Sequence, residues 1–211
     1  MSPLHCTTAQ VLRSGATRKD KRSPMTDAGL RSYKVFLLPG WLDSGPTHWQ
    51  SRWETLHGFE RVQQDDWNWP RRGDWMARLD DVLLGTPGPA VLVAHSLGCQ
   101  LVAAWAAHSR HTARVKAAML VAPPDTEHEG TPPHLFNWRP IVRQRLPFAS
   151  LAVVSTSDPF CTSERAQAMA RDWGSELVSI GDRGHINGDS GLGDWSEGHA
   201  WLEQLAGHAL R

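Results

Sequence analysis

The sequence predicts a single-domain α/β protein, a parallel sheet with helices on both faces. Three observations carry that prediction. The chain has 211 residues, enough for one domain with a sizeable core and short for two. From residue 34 onward, short β-type runs alternate with segments of helical period, the order expected of strands joined by crossover helices. The run Pro89-Ala90-Val91-Leu92-Val93-Ala94 is apolar without alternation, as a central parallel strand covered on both faces requires.

The elements follow in order. Residues 1–31 mix Arg13, Arg18, Lys19, Lys21 and Arg22 with Ser, Thr and Gly and show no apolar period, so they read as a disordered tail before a domain at 32–211. A mitochondrial transit peptide has a similar composition, and Met25 is an alternative start; the tail is assigned no chemistry. Lys34-Val35-Phe36-Leu37-Leu38 is a buried strand ended by Pro39-Gly40. A helix is expected over 47–57, a weaker strand over 59–63, and a helix over 74–84 with Trp75, Leu79 and Val82 on one face. After the strand at 89–94, residues 97–108 are apolar nearly all round, the mark of an interior helix. A strand at 115–121 precedes a polar, proline-rich stretch over 125–140, read as a surface excursion. Strand 151–155, helix 162–173, strand 176–180, a Gly-rich loop and a helix over 196–208 complete the series.

Composition narrows the function. Lys plus Arg and Asp plus Glu both number 22, so there is no global basic field for nucleic acid, and the expected partner is a small molecule. Cys6, Cys99 and Cys161 form no CxxC pair and no zinc-type cluster, so neither a disulfide framework nor a metal site is expected, and a reducing cytoplasm suits the chain. No apolar run approaches the roughly 20 residues that span a bilayer, and the apolar core of a signal peptide is missing, so neither a membrane nor a secreted protein is expected. Eleven Trp stand against one Tyr, with Trp41, Trp49, Trp53, Trp67 and Trp69 crowded together. So many large rings must line a core, a pocket or a contact patch.

In a parallel sheet, reactive groups collect in loops at the carboxyl ends of strands. Ala94-His95-Ser96-Leu97-Gly98 stands between a strand and a helix, the context of the nucleophile elbow GxSxG, with Ala94 in place of the first glycine. Such a turn lifts the Ser96 hydroxyl above the sheet, but a hydroxyl needs a base and the base needs an acid to hold it. Of eleven histidines, His185 is the candidate base, because it follows the last strand in a flexible loop, whereas His48, His57, His108, His111, His199 and His208 fall on helices or their ends, and His95 should point away from the serine. Asp158 follows a strand end and gives the chain order Ser, Asp, His; Asp182, close to His185 in sequence, is the alternative acid. Asn187, Asp189 and Asp194 read as turn-forming side chains, and Cys99 as a small buried apolar group.

The stretches Leu38-Pro39-Gly40-Trp41, Gly45-Pro46-Thr47-His48-Trp49-Gln50, the elbow, Ser157-Asp158-Pro159 and Gly184-His185-Ile186-Asn187, with Ser190 to Trp195 beyond, together resemble the small serine hydrolases related to retinoblastoma-binding protein 9 and bacterial YdeN. That resemblance spans about residues 34 to 208. It implies an α/β-hydrolase fold with a six-stranded parallel sheet and little or no lid, and it puts Ser96, Asp158 and His185 at the family's triad positions. The backbone N–H groups of Leu97 and Trp41 are the candidate oxyanion donors, with Gly40 allowing close approach. Gly40, Trp41, His48 and Trp49 are candidate pocket residues. The expected reaction is hydrolysis of a small carboxylic ester, less readily an amide, through an acyl-enzyme on Ser96 and without metal or organic cofactor. Acyl transfer uses the same residues, and a scaffold that keeps the fold and holds a partner on its surface is the rival from another class; the sequence speaks against it, because Leu97-Gly98-Cys99-Gln100-Leu101 resembles an LxCxE motif only superficially, lacks the Glu and falls on a helix expected to be buried.

Overall fold

Six strands form one all-parallel sheet in the computed structural model, which describes residues 28–208. They are β1 (Lys34–Leu38), β2 (Glu60–Arg61), β3 (Ala90–His95), β4 (Val115–Val121), β5 (Ala149–Val154) and β6 (Glu176–Ser179), in the spatial order β2-β1-β3-β4-β5-β6. The six helices are α1 (Ala28–Arg31), α2 (Trp49–His57), α3 (Arg72–Gly85), α4 (Leu97–His108), α5 (Ser163–Trp173) and α6 (Ser196–His208). Strand side chains alternate between two cores. Phe36, Leu38, Leu92, Ala94 and Leu120 pack with α3, α4 and α5, while Val35, Leu37, Val91, Val93 and Val121 pack with α2 and α6. No strand precedes β1 among the described residues, so the sheet starts directly at the element leading into the candidate oxyanion loop.

Several boundaries differ from expectation, each for a tertiary reason. Residues 28–31, read as part of the tail, form the single turn α1, and Leu30 packs against the α2–α6 core. Met25 and the basic cluster lie outside the described residues. The strand expected over 59–63 is reduced to Glu60–Arg61 at the sheet edge; Val62 still donates to Leu37 O at 2.9 Å, but its side chain turns into the core. Helix α3 starts two residues early because Asn137 Oδ1 accepts the Arg72 N–H at 2.7 Å, a cap supplied from another loop. The stretch 125–140 is only partly a surface excursion. It contains a 3-10 turn, Pro133–Trp138, whose Leu135 and Trp138 are buried, and no helical lid is inserted beside it.

The tryptophan excess has a structural use. Trp49, Trp53, Trp75, Trp105, Trp138 and Trp173 are fully buried, and each indole N–H finds an acceptor: Ile186 O, Asp194 O, Asp66 O, Asp80 Oδ1, Pro70 O and Val142 O, at 2.7–3.2 Å. Five of the six acceptors are backbone carbonyls outside the helices and strands. A ring that is apolar except for one donor fills core volume and ties a loop down at the same point.

The elbow depends on one close approach. A Cβ on Gly98 would stand 2.2 Å from Leu38 O, which no real side chain tolerates. Gly98→Ala must separate α4 from β1, and overpacking of this kind costs about 1–3 kcal/mol or more. We expect a lowered urea midpoint together with lost activity, since α4 carries Ser96 at its start; an unchanged midpoint would mean that the two backbones are not in contact.

Candidate active site

The chain passes from β1 to β2 on one side and then back to β3 on the other, so the winding direction reverses between β1 and β3. At that switch point the loops diverge and leave a crevice at the carboxyl ends. The loop after β1 carries Gly40 and Trp41; the turn after β3 carries Ser96.

Ser96 adopts φ 53°, ψ −124°, a region that costs on the order of 1–3 kcal/mol for a side-chain-bearing residue. Its neighbours hold it there: Ser96 N–H donates to Val121 O at 2.9 Å, and Ser96 O accepts the Cys99 N–H at 2.8 Å. The hydroxyl Oγ lies 2.8 Å from His185 Nε2, and His185 Nδ1 lies 2.9 Å from both carboxylate oxygens of Asp158. Both partners are shielded from water, the His185 side chain being 10% exposed and that of Asp158 4%. A carboxylate accepts only, so Nδ1 carries the proton and Nε2 is left to accept from the serine, the tautomer a general base needs. Asp182 makes no hydrogen bond to His185: it accepts the Ser157 hydroxyl, whose oxygen accepts the Gly184 N–H at 3.0 Å. It shapes the loop that presents His185.

Gly40 packs directly on the serine, where a Cβ would lie 2.6 Å from Ser96 Cβ and 3.0 Å from its Oγ. Only a bare backbone fits. The Trp41 N–H has no acceptor among the described residues, and Leu97, first residue of α4, contributes one of the helix's unbonded N-terminal donors. The loop between Gly40 and α2 is braced by two residues that sequence reasoning did not single out. Arg61, its side chain 9% exposed, donates to Asp43 Oδ1 at 2.6 Å, Ser44 O at 3.0 Å and Ser51 Oγ at 2.7 Å, and pairs with Glu54. Gln50, fully buried, accepts the Ser44 hydroxyl at 2.8 Å and donates to Val93 O at 3.0 Å. Arg61 carries no local signal, lying in a two-residue edge strand, and Gln50, though it closes the stretch Gly45 to Gln50 that carries the resemblance, has no assigned role there.

The candidate pocket residues divide. Trp41 is half-buried, with its Nε1 donating to Asn68 O at 3.0 Å and its ring 4.9 Å from that of His134. Trp49 does not open onto the crevice: it is 1% exposed and packs edge-on against Trp53 and Trp195, because α2 turns its first residue inward. His48 is also buried, capping α2 with Nδ1 accepting the Gln50 N–H at 3.1 Å. Burial, with Arg61 and His185 nearby, pushes its pKa down to about 3. His95 turns toward the loop of His185, and burial holds it well below the usual histidine range. Phe160, two residues beyond Asp158, was missed; it is exposed, and its ring stands 4.6 Å from His185 in an edge-on contact.

The remaining groups stay outside the chemistry. Cys99 is fully buried and burial raises its pKa well above the thiol range, while burial pushes Cys161 up to about 12. Asn187 Oδ1 accepts the Asp189 N–H at 3.1 Å within a 3-10 turn, and Asp194 pairs with Arg52. The stretch from Leu97 to Leu101 is buried in α4, which hides it from a partner. Among the described residues no His, Cys, Asp and Glu group together in a way that could hold a metal ion, and no helix is long and apolar enough to cross a membrane.

Among solved structures, a protein described as a YdeN-like hydrolase from Pectobacterium atrosepticum is similar at a TM-score of 0.75 and 28% identity, over 85% of this chain and 93% of that one. The ydeN gene product of B. subtilis follows at 0.63 and 17%, over 82% and 98%. A thermophilic esterase from Thermogutta terrifontis, at 0.60 and 18% over 82% and 90%, shares the fold. No curated protein sequence matches. A family profile described as serine hydrolase matches residues 35–204, which takes in every strand but the first residue of β1, together with Ser96, Asp158 and His185, and the chain belongs to that serine hydrolase family.

Proposed function

We propose that the protein is an esterase that cleaves a small carboxylic ester through an acyl-enzyme on Ser96. The observation that carries this reading is the continuous relay from Ser96 Oγ through both nitrogens of His185 to the Asp158 carboxylate, at 2.8 and 2.9 Å. His185 takes the serine proton as Oγ attacks the ester carbonyl, then gives it to the departing alkoxide. It next takes a proton from water as that water attacks the acyl carbon, and returns the proton to the Ser96 oxygen as the acyl–Oγ bond breaks and the acid leaves. Asp158 fixes the tautomer and stabilises the imidazolium. The Leu97 and Trp41 N–H groups receive the oxyanion, each donor being worth about 3 kcal/mol in the transition state. Every step uses side chains and backbone of this chain. An amide, whose leaving group is poorer, reacts by the same path more slowly.

A fluorophosphonate and a short series of p-nitrophenyl esters test the reading together. Wild type is expected to take up one phosphonyl group, recovered by mass spectrometry on Ser96, and to turn over the short esters; Ser96→Ala does neither. Equal labelling of Ser96→Ala, or a wild type inert to both reagents, would overturn it. Added alcohol or amine separates hydrolysis from acyl transfer by the product formed.

A further inference from the structure

His95 and Trp49 stand outside the relay, yet both reach the loop that carries its base. His95 Nε2 lies 2.9 Å from the backbone carbonyl of His185, and Trp49 Nε1 donates to the carbonyl of Ile186 at 2.8 Å. Two ring N–H groups, one from the end of β3 and one from the first residue of α2, therefore hold two consecutive carbonyls. A carbonyl only accepts, so His95 carries its single proton on Nε2. Behind it, the His48 ring packs nearly perpendicular at 4.6 Å and fixes the orientation of the imidazole. His48 Nδ1 is occupied by the Gln50 N–H, and its buried Nε2 has no hydrogen-bond partner among the described residues, so His48 acts on His95 through ring packing alone.

The backbone at these carbonyls needs holding. Ile186, fully buried, sits at φ 50°, a left-handed conformation that is a genuine outlier for a β-branched residue, and Gly184 on the other side of the histidine is at φ 54°. Strain of this kind persists only where the surroundings over-determine it. We infer that His95 and Trp49 are positioning residues for His185, clamping the carbonyls of His185 and Ile186 so that the imidazole stays in line with the Ser96 hydroxyl. The inference rests on the reading of His185 as general base. Without the clamp, Ile186 relaxes toward an ordinary conformation and carries His185 away from Ser96.

The test measures kcat and KM on p-nitrophenyl acetate for His95→Leu, His95→Gln, Trp49→Phe and His185→Ala, and follows the downfield Nδ1–H proton resonance of His185 by NMR. His95→Leu is expected to lower kcat about ten- to a hundredfold, the cost of a misplacement of about 1 Å, while KM stays within about twofold and the resonance broadens. His95→Gln, whose amide N–H can still reach the His185 carbonyl, recovers most of the loss. Trp49→Phe keeps a ring in the core but removes the donor, and lowers kcat with the same broadening. Wild-type kcat and an unchanged resonance in Trp49→Phe and in whichever His95 variant folds would overturn the clamp while leaving the relay standing. Wild-type turnover by His185→Ala would instead overturn the reading on which the clamp is built.

Discussion

His185→Ala is expected to lower kcat on an active ester by about a millionfold, and adding Ser96→Ala to the same chain lowers it no further. The reason lies in the two contacts of one ring. His185 Nε2 at 2.8 Å is the acceptor for the Ser96 proton, so without the imidazole the hydroxyl remains a hydroxyl and its presence contributes nothing. Asp158→Asn removes less, about ten-thousandfold, because the ring survives but an amide N–H facing Nδ1 favours the wrong tautomer. On the proposed mechanism, residual turnover in all these variants is expected to come from the backbone donors of Leu97 and Trp41, which the substitutions leave in place. The measurement is kcat of single and double variants on one p-nitrophenyl ester. Losses that multiply in the His185→Ala, Ser96→Ala double variant would show that the two side chains act independently.

Acidification gives the second large effect. His48 is buried with its pKa pushed from 6.5 down to about 3, and His95 is lowered in the same direction, chiefly by burial. Both rings are neutral in the folded protein at a pH where the unfolded chain binds protons on them. Stability therefore rises with pH: it is fully present above about 6.5 and is lost progressively as pH falls, for His48 down to about 3 and for His95 in the same direction, with a slope that approaches one proton for each histidine held neutral. Urea unfolding at a series of pH values reads this slope. His48→Asn keeps a side-chain oxygen to cap α2 at Gln50 N–H and removes one of the two titrating rings, so the slope should fall by one histidine's share. A slope that His48→Asn leaves intact would assign the acid sensitivity elsewhere.

Much of this protein is legible in its sequence, and where it is not, the missing information is tertiary. The apolar run before Ser96 and the small residues around it state a strand, a sharp turn and a helix, because burial on both faces and close backbone approach each demand a residue type. The choice of His185 by elimination and of Asp158 by chain order leads to three side chains that the fold brings within hydrogen-bond reach. The sequence does not show that Asn137 caps α3, that Arg61 ties the loop after β1 to α2, or that Trp49 turns inward to the Ile186 carbonyl. Each of these joins residues distant in the chain, and each donor or acceptor has an ordinary local context. His95 is the instructive case: inside the most recognisable motif of the chain, its partner lies ninety positions away.

The brevity of β2 bears on how the protein behaves in a crowded solution. An unpaired sheet edge is a template onto which a strand of another molecule can add. Here one outer edge is the two residues Glu60 and Arg61, with Glu60 engaged by Lys34 and the Arg61 side chain drawn into its own network of acceptors. The other edge, β6, is four residues long, begins with Glu176 and exposes Leu177 as its one large apolar side chain. Between them lie β1, β3, β4 and β5, whose long apolar stretches would aggregate readily if uncovered. The two least sheet-like strands thus act as guards for the four most sheet-like ones, and lengthening β2 with β-branched residues is the change that would open this fold to edge-to-edge growth.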